Sequence, residues 1–295
     1  MKMNQPSKLL QFLLALLIIV LFTVKFVIGQ NYIPRSYWTF DNPNNVFADS
    51  TGIFNLDPFY YQSGYSIGNN TAGTGVGKFL TLNSSSGYIR MGSLPTDSAF
   101  TIEFLFRPGY NFKETRFFYR LDGAITAKMN YPYIVFTTTH RSSSGAVVSD
   151  DLWIDLNGIG RKSYGYYIDG NWHHMVFKFN SNTGVKEIWV DGQCPAGFSK
   201  TVTPTGYFVN NTSVNRDLLL NATINYIQYH GDYDEMAIYS YGLPANMIYK
   251  HYLDFMSNKH YSYPNSALSV PAPSAVTGPV DLNEFPPGHP NVTVS

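Results

Sequence analysis

Carboxylates are the residues of this sequence with the clearest capacity for chemistry, because they can cleave glycosidic bonds or bind cations. Retaining glycosidases need two carboxyl groups about 5 Å apart on the same side of a sugar. The 295-residue chain has only five glutamates, at positions 103, 114, 187, 235 and 284, and none lies in an array such as Glu-x-Asp-x-x-Glu. The sequence therefore predicts a protein that is not an enzyme, with glycoside hydrolysis as the less favoured alternative.

A second group of acids offers the hard oxygen atoms that calcium prefers. They fall in two stretches, with Asp41, Asn44 and Asp49 in a proline-containing loop and Asp232, Asp234 and Glu235 far along the chain. Calcium sites collect such side chains from irregular loops, together with backbone carbonyls. The alternative interpretation is that these are ordinary turn residues, whose carboxylates accept hydrogen bonds from nearby backbone amides.

The histidine pair in "NWHHMVFKF" is a third candidate site. Strand alternation predicts that His173 and His174 point to opposite faces of a sheet, so the two imidazoles cannot share one metal ion. A zinc site would need further ligands from other strands, and the sequence has no cysteine cluster to supply them. We therefore expect one histidine to be packed and hydrogen-bonded and the other to lie at the surface.

Tyrosine-rich stretches point to sugar binding, because exposed aromatic rings stack on pyranose faces beside polar hydrogen-bonding groups. The chain has 23 tyrosines, and several cluster in segments that read as loops. The candidate carbohydrate-binding residues are Tyr61, Tyr65, Tyr166, Tyr167 and Tyr229. The alternative is that tyrosine is simply a good residue for strand edges, with an apolar body and a polar tip.

Composition narrows the class of protein. Hydrophobic residues make up 44% of the chain and aromatic residues 16%, which is enough apolar material for a large core. Twenty basic side chains balance twenty acidic ones, so no net field attracts a polyanion, and nucleic acid is not an expected partner. The single cysteine, Cys194, excludes an internal disulfide.

The N-terminal residues have the layout of a secretory signal. Lys2 and Lys8 precede an apolar run over residues 9–24, and a small residue, Gly29, follows. This pattern predicts cleavage after Gly29 and a secreted, extracellular or cell-surface protein, or a periplasmic one in a bacterium. The alternative is an uncleaved membrane anchor, although Lys25 interrupts the apolar run.

The rest of the chain divides into a domain over residues 30–263 and a Pro-rich linker or tail over residues 264–295. Within the domain, "FTIEFLF" alternates so that Phe100, Ile102, Phe104 and Phe106 share one face. Several similar segments predict many strands. One short helix is expected near Pro244, with Met247, Ile248, His251 and Tyr252 along one side. Many strands and a single helix favour an all-β fold of two stacked antiparallel sheets.

Four stretches, read in order, resemble the concanavalin A-like lectin/glucanase superfamily and within it the laminin-G-like domains. They are "YWTFDNPNNVFADSTG", "GKFLTLNSSSGYIRMG", "FTIEFLFRPG" and "DYDEMAIYSYGLPANMIYKHY". The "WHH" strand with the "WVDGQ" turn is a fifth. The resemblance implies a two-sheet antiparallel jelly-roll sandwich with one short C-terminal helix, a structural calcium ion, and binding rather than catalysis.

In the resembling domains the N-terminal loop lies near the acidic pair of the late strand. The resemblance therefore implies a calcium site made by Asp49, Asp234 and Glu235, with Asp41 and Asp232 as further candidates. The function that follows is a secreted carbohydrate-binding module, the N-terminal part of a larger glycan-processing or adhesive protein, with a glycan or polysaccharide as its partner. The alternative is a protein-interaction or structural domain of the laminin-G type, with an extracellular protein as its partner. Apart from the N-terminal segment, no membrane contact is expected.

Overall fold

The computed structural model describes residues 32–58, 65–70, 77–82, 88–93, 99–108, 114–120, 125–130, 133–141, 146–155, 170–180, 182–195, 197–202, 217–220 and 231–262. Our description concerns the compact unit Pro34–Ser262. The expected signal segment and the Pro-rich tail both lie outside the described residues. No helix in the described ranges is long and apolar enough to cross a membrane.

The described chain forms two antiparallel sheets and one helix. The strands are β1 (Ser36–Trp38), β2 (Tyr65–Asn69), β3 (Lys78–Leu82), β4 (Ile89–Ser93), β5 (Ala99–Pro108), β6 (Glu114–Arg120), β7 (Ile125–Asn130), β8 (Tyr133–Arg141), β9 (Val147–Asp155), β10 (His173–Asn180), β11 (Val185–Val190), β12 (Ser199–Thr201), β13 (Asp217–Leu220) and β14 (Gly231–Tyr239). The helix, α1, is Ala245–Met256. This architecture confirms the predicted two-sheet antiparallel sandwich with one short helix.

The larger sheet has the order β12-β11-β10-β5-β14-β3-β2, and the smaller one has the order β4-β13-β6-β7-β8-β9. Strand β1 pairs with β14 beyond the end of β3. The predicted hairpin after the histidine pair is present, because β10 pairs with β11 from Met175↔Val190 to Asn180↔Val185. Sheet neighbours are therefore often far apart in sequence, with β5 lying between β10 and β14.

The core between the sheets is built from aromatic rings. As the alternation predicts, Phe100, Ile102, Phe104 and Phe106 of β5 all belong to it. Phe177 of β10 lies near its centre, with ring centroids 5.2–6.1 Å from four other phenylalanines, namely Phe104, Phe117, Phe118 and Phe136. Such aromatic pairs contribute about 0.5–1.5 kcal/mol each beyond the burial of their area.

Helix α1 covers the outer face of the larger sheet. Pro244 is its N-cap, which suits the fixed φ of proline, and the predicted apolar side is buried. The start of the helix is tied to β5, because Thr101 Oγ1 accepts a hydrogen bond from Leu243 N and donates one to Tyr241 O. The second face of β5 is therefore buried as well, and Thr101 and Glu103 are inaccessible to solvent.

Candidate functional site

A bulge in β14 positions the acidic pair that the sequence analysis singled out. The register between β14 and β5 shifts between Asp234 and Ala237. Glu235 has a φ of 48°, in the left-handed region that a non-glycine residue rarely adopts. On the other side of β14, pairing with β3 ends at Tyr233 and pairing with β1 begins at Met236. The bulge therefore lies at the gap between two neighbouring strands and turns both carboxylates away from the regular ladder.

His260, which follows helix α1, joins this gap to the loop after β1. Its Nδ1 lies 2.6 Å from Glu235 Oε1, and its Nε2 lies 3.4 Å from Asp41 Oδ2. One ligand atom from each of Asp41, Glu235 and His260 lies within 4.8 Å of the others, which is the spacing of a metal site. Together with Asp234 we call these residues the carboxylate cluster.

Hydrogen bonds inside the protein hold the carboxylate cluster in place. Asp41 Oδ1 accepts a hydrogen bond from Lys78 N at 2.6 Å, and Asp234 Oδ2 accepts one from Asn70 Nδ2 at 3.1 Å. The second oxygen of Asp41 is buried and faces His260 Nε2 at 3.4 Å, but it accepts no closer hydrogen bond from the described residues. Gly77 allows the close approach, since a Cβ there would lie 2.0 Å from Asp41 Oδ1.

The electrostatics of the cluster follow from packing three carboxylates together. Burial and the neighbouring Glu235 carboxylate raise the pKa of Asp234 well above its usual value. The hydrogen bond to Glu235 raises the pKa of His260 despite its partial burial. His260, whose side chain is 47% exposed, lies on the solvent side of the three carboxylates and is the member of the cluster that can carry a positive charge.

Two tyrosines form the inner wall of the site. The Tyr37 hydroxyl donates a hydrogen bond to Glu235 Oε2, and Tyr261 N lies 3.2 Å from the same oxygen. The two rings stack with centroids 5.9 Å apart and an interplanar angle of 16°. Glu235 therefore links the bulge to strand β1 and to the segment after α1 through hydrogen bonds.

Asp49, which the sequence analysis grouped with Asp234 and Glu235, lies elsewhere. Its two oxygens accept hydrogen bonds from four backbone amides and one hydroxyl, namely Tyr37 N, Thr51 N, Thr51 Oγ1, Ile53 N and Phe54 N. Glu235 and Asp49 contact opposite ends of Tyr37, its hydroxyl and its backbone amide. The structure therefore places Asp49 in the turn-capping role that was the alternative interpretation, and it brings Asp41, rather than Asp49, to Glu235.

Asp232 also lies apart from the cluster. Its Oδ2 contacts Arg107 Nε at 2.7 Å and Nη2 at 2.6 Å, and Thr81 donates a hydrogen bond to Oδ1. The Arg107 guanidinium in turn lies over the rings of Phe79 and Trp172 at 4.7 and 4.9 Å. Asp232 is therefore held in an ion pair with Arg107 on the face of the larger sheet.

The two histidines do point to opposite faces of the sheet, but the expectation that one lies at the surface is wrong. His173 is 1% exposed and pairs with Asp191 at 3.0 Å, and His174 is fully buried and lies 3.3 Å from Glu103. The physical reason is helix α1, which covers the outer face, with Tyr252 stacked on the His174 ring.

Sequence reasoning did not identify the buried group around Glu103. Glu103 Oε1 lies 2.8 Å from His251 Nδ1 and accepts a hydrogen bond from the Tyr239 hydroxyl, while Oε2 faces His174. Burial raises the pKa of Glu103, but the two histidines outweigh it and lower that pKa from 4.5 to about 2. The carboxylate and both imidazoles are inaccessible to solvent, so this group stabilises the fold and has no access to a substrate.

Of the candidate sugar-binding tyrosines, only Tyr65 is among the described residues. It lies on β2, is 37% exposed, and packs edge to face against Phe47 with centroids 5.2 Å apart. Tyr61, Tyr166, Tyr167 and Tyr229 lie outside the described residues. A sugar-binding role therefore stays a prediction for all five tyrosines.

No family model and no curated protein matches the sequence. Solved structures with a similar fold include the binding domain of Paraclostridial Mosquitocidal Protein 1, at 17% identity and a TM-score of 0.51 over 69% of this chain and 48% of that one. The Botulinum neurotoxin serotype D ligand binding domain in complex with N-acetylneuraminic acid has 13% identity and a TM-score of 0.53 over 76% and 51%. The binding domain of Botulinum neurotoxin DC in complex with rat synaptotagmin II has 12% identity and a TM-score of 0.50 over 76% and 52%.

These similarities establish the fold alone, because the identities lie far below the level at which function is shared. The chain spans about half the length of each of these domains. All three are described as binding domains, and two of them were determined with a bound sugar or a bound protein.

Proposed function

We propose that this protein is a secreted or cell-surface carbohydrate-binding module of the laminin-G-like group, in which the carboxylate cluster binds a glycan through a cation. The observation that carries the proposal is the convergence of Asp41, Glu235 and His260 at the gap in β14, beside the buried Asp234, where Asp41 and His260 are partly accessible to solvent. Sugar hydroxyls both donate and accept hydrogen bonds, so a site of adjacent carboxylates and an imidazole suits them. The sialic acid complex of a domain with the same fold supports a sugar as ligand.

The donor set of the cluster fits calcium. Calcium takes six to eight oxygen ligands, mostly from carboxylates, carbonyls and water. Asp41, Asp234 and Glu235 would supply the carboxylate ligands, and the buried second oxygen of Asp41, which lies 3.4 Å from His260 Nε2, would bind the cation instead. The ion would neutralise three neighbouring acids and leave coordination positions for water or sugar hydroxyls. His260, on the exposed side, would then no longer be needed as their counter-charge.

Calcium should raise the thermal stability of the wild-type protein. Because the folded state would bind the ion and the unfolded chain would not, the gain is about 2.7 kcal/mol at a free calcium concentration a hundredfold above Kd. Melting curves in calcium and in chelator measure this difference. Asp234→Asn keeps the shape of the side chain but loses its charge, so this variant should lose most of the calcium response.

Asp49→Asn is the matched control for that experiment. It removes the same charge from the other predicted acid, whose oxygens bind backbone amides, so the variant should be less stable and yet keep the full calcium response. Identical melting curves of the folded wild type in calcium and in chelator would contradict the calcium site.

The sugar-binding function is tested by applying the labelled full-length chain to an array of glycans, in calcium and in chelator. We expect binding to a defined set of glycans, weakened by chelation and by Asp234→Asn, because both remove the cation through which hydroxyls are held. Wild-type protein that is folded and binds no glycan would contradict the proposal.

A protein-interaction role is the second candidate function. Trp153 of β9, at the edge of the smaller sheet, is 49% exposed and packs edge to face against Tyr133, with centroids 5.5 Å apart. Exposed tryptophan and tyrosine are enriched where proteins contact each other. This function would be favoured if the protein bound no glycan on the array and instead bound a protein partner, with that binding lost in Trp153→Ala.

A further inference from the structure

A small cavity of about 200 Å³ opens at the other end of β1, away from the carboxylate cluster. Its wall combines two arginines, one aspartate, two serines and apolar side chains, and the residues that matter for its chemistry are Arg35, Phe54, Arg90, Met91, Ser93 and Asp217. The cavity lies where β1 of the larger sheet approaches β4 and β13 of the smaller sheet. It is smaller than the roughly 300–1,000 Å³ typical of pockets that enclose a drug-sized molecule, so it suits a single compact group.

Arg90 is held in place at the cavity wall. Its Nε lies 2.7 Å from Asp217 Oδ2, and Asp217 Oδ1 accepts a hydrogen bond from the Ser93 hydroxyl at 3.1 Å. The guanidinium lies over the Phe54 ring, 5.6 Å from its centroid. Asp217 therefore neutralises Arg90 and fixes its orientation, while the planar guanidinium still has donors on its other nitrogens.

Arg35 has a fixed backbone but, unlike Arg90, a side chain that no carboxylate among the described residues pairs with. Its backbone is fixed on both sides, because Arg35 N donates to Ile238 O at 2.7 Å and Arg35 O accepts from Thr51 Oγ1 at 2.7 Å. Its side chain lines the cavity but forms no ion pair or hydrogen bond with any of the described residues. Among the described residues that line the cavity, two guanidinium groups accompany one carboxylate, so positive charges outnumber negative charges by one.

We propose that this cavity binds the carboxylate of an acidic sugar, with Arg35 as its main contact and Arg90 as a second donor. The inference rests on the proposed glycan-binding function and names the class of glycan. A guanidinium matches the two oxygens of a carboxylate with paired hydrogen bonds. The charge balance suits a ligand with one negative charge. Phe54 and Met91 offer an apolar wall to its carbon skeleton, as sugar rings require.

The test measures the affinity of the full-length chain for N-acetylneuraminic acid, glucuronic acid and neutral glucose by calorimetry. We expect the acids to bind and Arg35→Met to weaken them about tenfold to a hundredfold, which corresponds to loss of a hydrogen bond between charged groups. Lys200→Met is the matched control. It removes the same charge from β12, at the opposite end of the larger sheet, and should leave the affinity unchanged.

A second measurement does not depend on the variant folding correctly. In isotope-labelled wild-type protein, amide NMR shifts during titration with either acid should concentrate at β1 and β4 around the cavity. Shifts confined to other strands would overturn the inference, and so would an Arg35→Met variant that melts like the wild type and binds the acids equally well.

The glycan array separates failure of this inference from failure of the proposed function. Wild-type binding to neutral glycans alone would overturn the acidic-sugar site and leave the carbohydrate-binding function standing. Binding of the free acids that is lost in Arg35→Met, on a protein that binds no glycan on the array, would support the carboxylate pocket and contradict the glycan-binding function.

Discussion

Replacement of Glu103 by alanine should lower the free energy of unfolding by about 3–5 kcal/mol, the cost of removing one partner from a buried charged pair. The Glu103 carboxylate is the shared acceptor for His251, His174 and the Tyr239 hydroxyl, and all of these groups are buried. Without it, two imidazoles and one hydroxyl remain in the interior with no acceptor in that position. Urea unfolding at neutral pH measures the loss.

The pH dependence of that loss provides an independent check. The folded-state pKa of Glu103, about 2, lies below its ordinary value of 4.5, so its stabilising contribution is present above pH 4.5 and disappears as the pH falls towards 2. The stability difference between wild type and Glu103→Ala should therefore shrink over that range. Glu187→Ala is the matched control, because this carboxylate on β11 is partly exposed and pairs with Lys178, a contact worth about 0–1 kcal/mol. A Glu103→Ala protein as stable as Glu187→Ala would show that the buried group contributes little.

Phe177→Ala should cost a similar amount, about 3–5 kcal/mol, because it leaves a cavity at the centre of the aromatic core. The ring is fully buried and packs against four other phenylalanine rings on both sheets. Thermal and urea unfolding both measure the effect, and Phe177→Leu should recover a large part of the loss by filling most of the space.

Trp153→Ala is the control for this substitution. The tryptophan is as large as any side chain in the core, but half of it is exposed on β9, so its removal should cost clearly less, about 0.5–1.5 kcal/mol from its ring pair with Tyr133. Equal losses at the two positions would mean that the packing between the sheets does not dominate stability.

The sequence pattern was sufficient for the layers of the fold because alternation is a local property. The face of β5 that carries Phe104, the hairpin of β10 and β11, and the buried side of α1 each follow from neighbouring residues. The alternation of side chains along a strand does not show which element covers the other face of a sheet. The outer face of β5 and β10 reads as polar, and only the position of α1 makes it an interior.

The candidate sites show the same limit. Glu103 and His251 are 148 residues apart in the sequence, and no spacing rule connects them. The acids Asp49 and Asp41 could be recognised as loop carboxylates, but which of them approaches Glu235 depends on the bulge in β14 and on the position of His260. Nothing in the sequence singles out Arg35, because it stands out only by lining the cavity without an ion pair to any described residue.

The position of β14 has a consequence for how the protein is made. It is the last strand of the described chain, yet it lies inside the larger sheet and pairs with β5, β3 and β1. Because a chain leaves the ribosome from its N-terminus, the earlier strands emerge before the strand that joins them, with their apolar faces unpaired. Pairings of such long sequence separation also close slowly. The larger sheet therefore cannot be completed until Tyr239 has emerged, and the edges of β5 and β3 that pair with β14 stay unpaired until then.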